Sequence, residues 1–182
     1  MSLEHINAEV LARAQRIRLA VFDVDGVLTD GGIQYDAHGL ELKRFNAQDG
    51  LGFKLLRDAG IEVALLSARS SRPVDVRAQE LGLRYVEQGC RDKAEGLRQL
   101  AHRVGVTLDQ VSFTGDDWPD LPALAIAGLS IAVANADRQV RQLAQFCTSR
   151  SGGAGAAREV AELLLLAQGL YAVQLARFKG PA

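Results

Sequence analysis

The chain is poor in the residues that build several common kinds of binding surface. Of its 182 residues only 5% are aromatic, with one tryptophan, which leaves little for base stacking. A formal net charge of −1 provides no basic field to draw in nucleic acid. Two cysteines, Cys90 and Cys147, are too few for a disulfide framework and lack metal-ligand spacing. They read as free thiols in a reducing compartment. The three histidines have no partners at metal spacing either. The most apolar stretch, Leu121 to Ala136, is interrupted by Pro122, Gly128 and Ser130 and falls short of a membrane span. The opening "MSLEHINAEVLARAQRIR" is polar and amphipathic, without the apolar centre of a secretion signal. The expectation is a soluble cytoplasmic protein, a single domain over residues 1–182, with neither nucleic acid nor membrane as partner.

What the chain does have is alternation. Strand-like apolar runs fall at 17–24, 61–67, 83–88, 111–115 and 129–135. Helical patterns separate them and stop on Gly60, Gly82 and Gly105. Strands apolar on both faces, alternating with helices, predict an α/β fold with a Rossmann-like, doubly wound parallel sheet. Two segments depart from the pattern. Residues 31–46 place Ile33 and Tyr35, then Leu40 and Leu42, around the turn residues Asp36-Ala37-His38-Gly39, which predicts an inserted β-hairpin directly after strand 1. Residues 156–178 read as one long helix with Val160, Leu163, Leu164, Ala167, Tyr171, Leu175 and Phe178 on a stripe. Leu165, Leu166 and Val173 lie off that stripe, a surplus pointing to a second contact. "GGAGAA" at 152–157 reads as a flexible connection into this helix.

The polar residues that end the apolar runs carry the chemistry. Asp23 and Asp25 end the first run, Ser67 the second and Asp116 the fourth, while Lys93 follows the third. Open parallel sheets bind ligands beyond the carboxyl ends of their strands, where strand order switches. Asp-x-Asp alone could equally be a helix cap or loop charge; the shared strand-end position of four groups is the signal. Several carboxylates at one point suit a hard, oxygen-liganded cation, Mg²⁺. A carboxylate there can attack phosphorus. A second can protonate the leaving alkoxide and then activate water. A lysine and a hydroxyl can hold the phosphoryl oxygens. Asp117 and Asp120 are open between capping a helix, orienting Lys93 and holding metal-bound water.

"DVDGVLTDG", "LLSAR", "DK" and "TGDDWPD" resemble, in order, the four motifs of the haloacid dehalogenase superfamily of phosphatases. "RFNAQDGLGFKLL", "QGCRDK" and "GGAGAAREVAELLLLAQG" are similar to its family acting on 3-deoxy-D-manno-octulosonate 8-phosphate, a sugar-acid phosphate from the lipopolysaccharide pathway. The resemblance implies Asp23 as nucleophile and metal ligand. It implies Asp25 as acid/base, with its carbonyl on the metal, and Asp116 as the third ligand. Ser67 and Lys93 would hold phosphate. Asn46, Ala47, Gln48, Asp49, Gly50, Lys54, Arg69 and Arg77 match substrate-binding positions, joined by Asp25 and Lys93. Ala68 departs from the family's usual glycine, and its methyl bears on the approach of the loop carrying Arg69. Lys54 stands where arginine is also found. Another acidic sugar phosphate, such as a nine-carbon sialic-acid relative, and a non-catalytic sugar-binding module stay open as alternatives. No interval between motifs has room for a separate cap domain. The expectation is therefore a homotetramer, as in the resembling family, in which the hairpin roofs a neighbour's site. The tail from Arg177 to Ala182 is expected to reach across as well.

Overall fold

A computed structural model describes residues 6–179. Helix α1 (Ala8–Ala14) precedes β1 (Leu19–Phe22). A small antiparallel ribbon of β2 (Gln34–Tyr35) and β3 (Glu41–Leu42) follows. Then come α2 (Ala47–Asp58), β4 (Glu62–Leu66), α3 (Arg72–Glu80), β5 (Tyr85–Glu87), α4 (Lys93–Val104) and β6 (Val111–Gly115). The chain continues with α5 (Leu121–Ile126), β7 (Leu129–Ala132), α6 (Arg138–Leu143), β8 (Phe146–Cys147), α7 (Ala156–Ala167) and α8 (Tyr171–Ala176).

The main sheet runs β5-β4-β1-β6-β7-β8, and every pairing in it is parallel. The chain moves outward from β1 to β4 and β5, then returns to place β6 on the other side of β1. The switch in strand order therefore lies at β1, whose four residues are all buried. Successive residues of β4 face opposite ways. Leu65 lines one small cavity with Phe53 of α2 and Val74 of α3. Leu66 lies against Gly96 of α4, where an added Cβ would sit 2.8 Å from it. The Phe22 and Phe53 rings, 4.8 Å apart at their centroids, tie β1 to α2.

The expected parallel fold and hairpin are present, with shorter strands and three departures. Phe146–Cys147 adds a sixth strand to the sheet, too short to show as an apolar run. Residues 156–178 do not form one helix. Gly169 at φ +70° ends α7, and Leu170 N–H donates back to the Leu165 carbonyl. Leu165 is fully buried within this chain. Its off-stripe position reflects a helix covered on most sides, so it demands no second contact, whereas Val173 remains exposed.

The third departure is the glycine run, which packs tightly and is no loose connector. Gly152 N–H donates to Asn135 Oδ1 at 2.8 Å, and Gly153 N–H to the Val27 carbonyl at 3.0 Å. A Cβ on Gly152 would come within 1.7 Å of the Gly26 carbonyl oxygen. Only a bare backbone fits there, and it clamps the loop that leaves β1.

Candidate active site

Four strand ends deliver the site. Asp23 follows β1, its backbone N–H donating to the Thr114 carbonyl at 2.9 Å, so it continues the sheet by one residue. Gly26 then turns the chain at φ +89°. Thr29 Oγ1 holds that turn by accepting from Gly26 N–H and Gly31 N–H, each at 3.2 Å. A Cβ on Gly26 would lie 1.9 Å from Asp116 Oδ2, so the glycine is what lets the β1 and β6 loops meet. Ser67 follows β4 and its hydroxyl accepts from Arg69 N–H at 3.2 Å. Lys93 is the first residue of α4, a start capped by Asp92, whose carboxylate accepts from Glu95 N–H at 3.0 Å. Asp23, Asp25, Ser67, Arg69, Lys93 and Asp116 line one cleft of about 300 Å³ with Gly31, Ala68, Asp117, Pro119 and Asp120.

Lys93 is buried, and so are its partners. Its ammonium lies 2.9 Å from Asp23 Oδ1 and donates to Asp120 Oδ1. Asp120 Oδ2 accepts from Asp116 N–H at 2.8 Å and Asp117 N–H at 3.2 Å. Both oxygens of Asp120 are thus taken. It orients Lys93 and stiffens the β6 loop. Asp117 is exposed at the cleft wall. Burial lowers the Lys93 pKa, but Asp23 and Asp120 more than offset that and hold it above the usual value.

One cation faces too many anions. Carboxylate oxygens of Asp23, Asp116 and Asp120 all lie within 4.8 Å of one another. Like charges at that range repel by roughly 3 kcal/mol per pair at an effective dielectric of about 20. Burial, and then Asp120, push Asp23 up to about 7 despite Lys93. Burial, and then Asp23 and Asp120, push Asp116 up to about 8. Asp116 Oδ1 is buried without a hydrogen-bond partner. A buried, orphaned carboxylate oxygen beside a second carboxylate is the arrangement a divalent cation with oxygen ligands completes. The residues present fit Mg²⁺.

The hairpin adds groups that periodicity alone did not single out. Lys43 Nζ donates to Asp25 Oδ1 and lies 3.3 Å from Glu41 Oε1. Arg69 Nη2 donates to Glu41 Oε1 at 2.7 Å, and its Nε is 3.8 Å from Asp25 Oδ2. The signal was present in the alternation: with Leu40 and Leu42 on one side of the strand, Glu41 and Lys43 must share the other.

The remaining sequence candidates lie elsewhere in this chain. Asn46 caps α2, accepting from Gln48 N–H at 2.7 Å. Gln48 accepts from Arg150 at 3.1 Å, and Asp49 from Arg158 N–H at 2.8 Å at the start of α7. Burial raises the Asp49 carboxyl. Arg77 covers Gly50 and pairs with Glu80 at 2.9 Å. Ala47 and Lys54 are exposed on α2. None of these borders the cleft around Asp23.

Removing the cation between Asp23 and Asp120 gives a direct check on this balance. Lys93→Met leaves Asp23 and Asp120 without a counter-charge, an expected loss of about 3–5 kcal/mol. Carboxyl groups raised in the folded state above their unfolded values make stability fall as pH rises. The loss measured by urea unfolding is therefore expected to be larger at pH 8 than at pH 5. Equal losses at both would contradict the cluster described.

Comparison with known proteins agrees with this geometry. The haloacid dehalogenase-like hydrolase family matches residues 86–159. The 3-deoxy-D-manno-octulosonate 8-phosphate phosphatase of Escherichia coli is 41% identical over 90% of this chain and 87% of its own. A crystal structure of the phosphatase of that name from Moraxella catarrhalis, in complex with magnesium, phosphate and KDO, superposes with a TM-score of 0.91 at 43% identity, covering 93% of this chain and 98% of that one. The cobalt-bound form from Haemophilus influenzae gives a TM-score of 0.86 at 42% identity, covering 88% of this chain and 94% of that one. The chain belongs to the 3-deoxy-D-manno-octulosonate 8-phosphate phosphatase family of haloacid dehalogenase-like hydrolases.

Proposed function

We propose that this protein hydrolyses 3-deoxy-D-manno-octulosonate 8-phosphate to the free sugar acid and phosphate, in the cytoplasm, as a step toward lipopolysaccharide. The observation that carries the reading is the buried Asp23–Lys93–Asp120 cluster beside the orphaned Asp116 oxygen. Identity above 40% to relatives of that name supports the substrate.

In the proposed reaction an Asp23 oxygen attacks phosphorus and forms an acyl phosphate. The bond from phosphorus to the sugar oxygen breaks, and the departing alkoxide takes a proton from Asp25. Asp25, now ionised, removes a proton from water, which attacks the same phosphorus and frees Asp23 and phosphate. Lys93 and Ser67 hold phosphoryl oxygens while their charge shifts. Asp23, the Asp25 carbonyl and Asp116 would hold Mg²⁺, which supplies positive charge to the phosphoryl group when bound. Arg69, beside Asp25 and partly exposed to the cleft, meets the carboxylate of the sugar acid through a charge-assisted contact.

The quaternary part of the reading is a homotetramer. Ile33, Tyr35, Leu40 and Leu42 of the hairpin are each more than half exposed. Tyr35 pairs with Glu41 and Leu42 with Gln34, so Tyr35 and Leu42 point to opposite faces and both faces carry apolar surface. A two-stranded ribbon is marginal alone in water; other copies of the chain would cover it and close the cleft. Residues Asn46 to Gly50, Lys54 and Arg77, remote from this chain's own cleft, would then serve a neighbour's. Of the tail expected to reach across, residues 180–182 lie outside the described residues.

Phosphate release from a panel of sugar phosphates tests the substrate. The eight-carbon sugar acid is expected to give the highest kcat/KM, with a nine-carbon acid phosphate below it; a neutral hexose phosphate at the top would refute the assignment. On the preferred substrate, folded Asp23→Asn is expected to release none, and Asp25→Asn to lose roughly two to four orders of magnitude. Turnover by Asp23→Asn would remove Asp23 as nucleophile.

Light scattering tests the assembly. Wild type is expected to run as a tetramer, and Ile33→Asp with Leu40→Asp as smaller species with reduced activity on the sugar acid. A fully active wild-type monomer would overturn the proposed roof.

A further inference from the structure

Arg69 is held more elaborately than a surface arginine needs. Its backbone is fixed first. The amide donates to Ser67 Oγ at 3.2 Å, and the carbonyl accepts from Gly89 N–H at 3.2 Å. Only the long side chain keeps rotational freedom, and arginine carries about 2 kcal/mol of it. The hairpin removes that freedom. Glu41 Oε1 accepts from Nη2 at 2.7 Å, while Glu41 Oε2 accepts from the Ser71 hydroxyl. Ser71 is itself anchored, its N–H donating to Gln88 Oε1 at 2.8 Å. Lys43, 3.3 Å from Oε1, holds Glu41 from a third direction. Tyr35 lies directly across the ribbon from Glu41.

We infer that Glu41 is the positioning residue for Arg69, and that through it the hairpin of each chain sets the preference for an acidic sugar phosphate in its own cleft. The inference rests on the proposed reading of Arg69 as the group that meets the substrate's carboxylate. A guanidinium has five N–H donors in a rigid fork. Among the described residues, Asp25 and Glu41 are the only carboxylates within 4.0 Å of it. Because Ser71 takes the second oxygen of Glu41, the hold of Glu41 on Arg69 is through one oxygen, and Arg69 still lines the cleft. An arginine fixed before substrate arrives has less entropy to lose on binding. Two other roles for Glu41 make different predictions. A residue that only neutralised buried Lys43 would affect all substrates alike. A carboxylate that merely filled the substrate's place on Arg69 would weaken acid binding, so its removal would strengthen it.

The test compares kcat and KM for 3-deoxy-D-manno-octulosonate 8-phosphate and for glucose 6-phosphate, which is neutral apart from its phosphate. Glu41→Ala is expected to lower the acid-to-neutral ratio of kcat/KM by about tenfold, through KM for the acid. Glu41→Gln keeps an acceptor oxygen for Nη2 and is expected to restore most of that ratio. In an Arg69→Ala background, Glu41→Ala is expected to change the ratio no further. If Arg69→Ala lowers the ratio and Glu41→Ala does not, the positioning role is wrong while the reading of Arg69 stands. Tighter acid binding by Glu41→Ala, or equal losses on both substrates, would also overturn it. A ratio unchanged by Arg69→Ala would remove the reading of Arg69 and this inference together.

Discussion

The buried ammonium of Lys93 governs the carboxylate cluster of this site. Lys93 bridges Asp23 and Asp120, and Asp116 lies within the same small volume. One positive charge cannot balance three carboxylates; burial first, and then the neighbouring carboxylates, raise Asp23 to about 7 and Asp116 to about 8. The fold tolerates this because Asp120 is saturated by Lys93 and two backbone amides. Asp120 holds the Lys93 ammonium beside Asp23 and fixes the loop that carries Asp116. What remains is a demand for positive charge at Asp23 and Asp116, both of which line the cleft. Mg²⁺ would supply the missing positive charge when bound.

The backbone around the cluster is built for close approach. Gly26 lets the loop after β1 reach Asp116, and Gly152 lets the segment before α7 press on that loop from outside. The C-terminal third of the chain, far from Asp23 in sequence, therefore braces the turn that follows Asp25. The hairpin inserted at the same turn contributes Lys43 to Asp25 and Glu41 to Arg69. In the proposed reading, one short insertion both serves the acid/base and prepares the group that selects the substrate. Its exposed apolar faces give it a further task in assembly.

How much of this was legible in the sequence follows from the range of each interaction. Asp23, Ser67, Lys93 and Asp116 could be placed together because a parallel sheet brings all its strand ends to one edge, a rule that needs no contact information. The α/β class and the hairpin followed from local periodicity. Glu41 and Lys43 were passed over because their importance depends on where a twisted ribbon folds back, and alternation fixes only the face. Phe146–Cys147 is too short to carry a period, and the apolar stripe through 156–178 concealed the break that Gly169 imposes. The tight packing of Gly152 against Gly26 left no pattern at all, since glycine-rich composition reads equally as slack or as contact.

Proton release on Mg²⁺ binding tests the charge imbalance of the cluster most directly. Calorimetric titration of Mg²⁺ at pH 7, repeated in buffers of different ionisation enthalpy, counts the protons lost. With Asp23 near 7 and Asp116 near 8, binding that requires both ionised should release about one to two protons per site at pH 7 and far fewer at pH 9. Binding with no proton release at pH 7 would show that the carboxylates were already ionised and balanced, and would contradict the account.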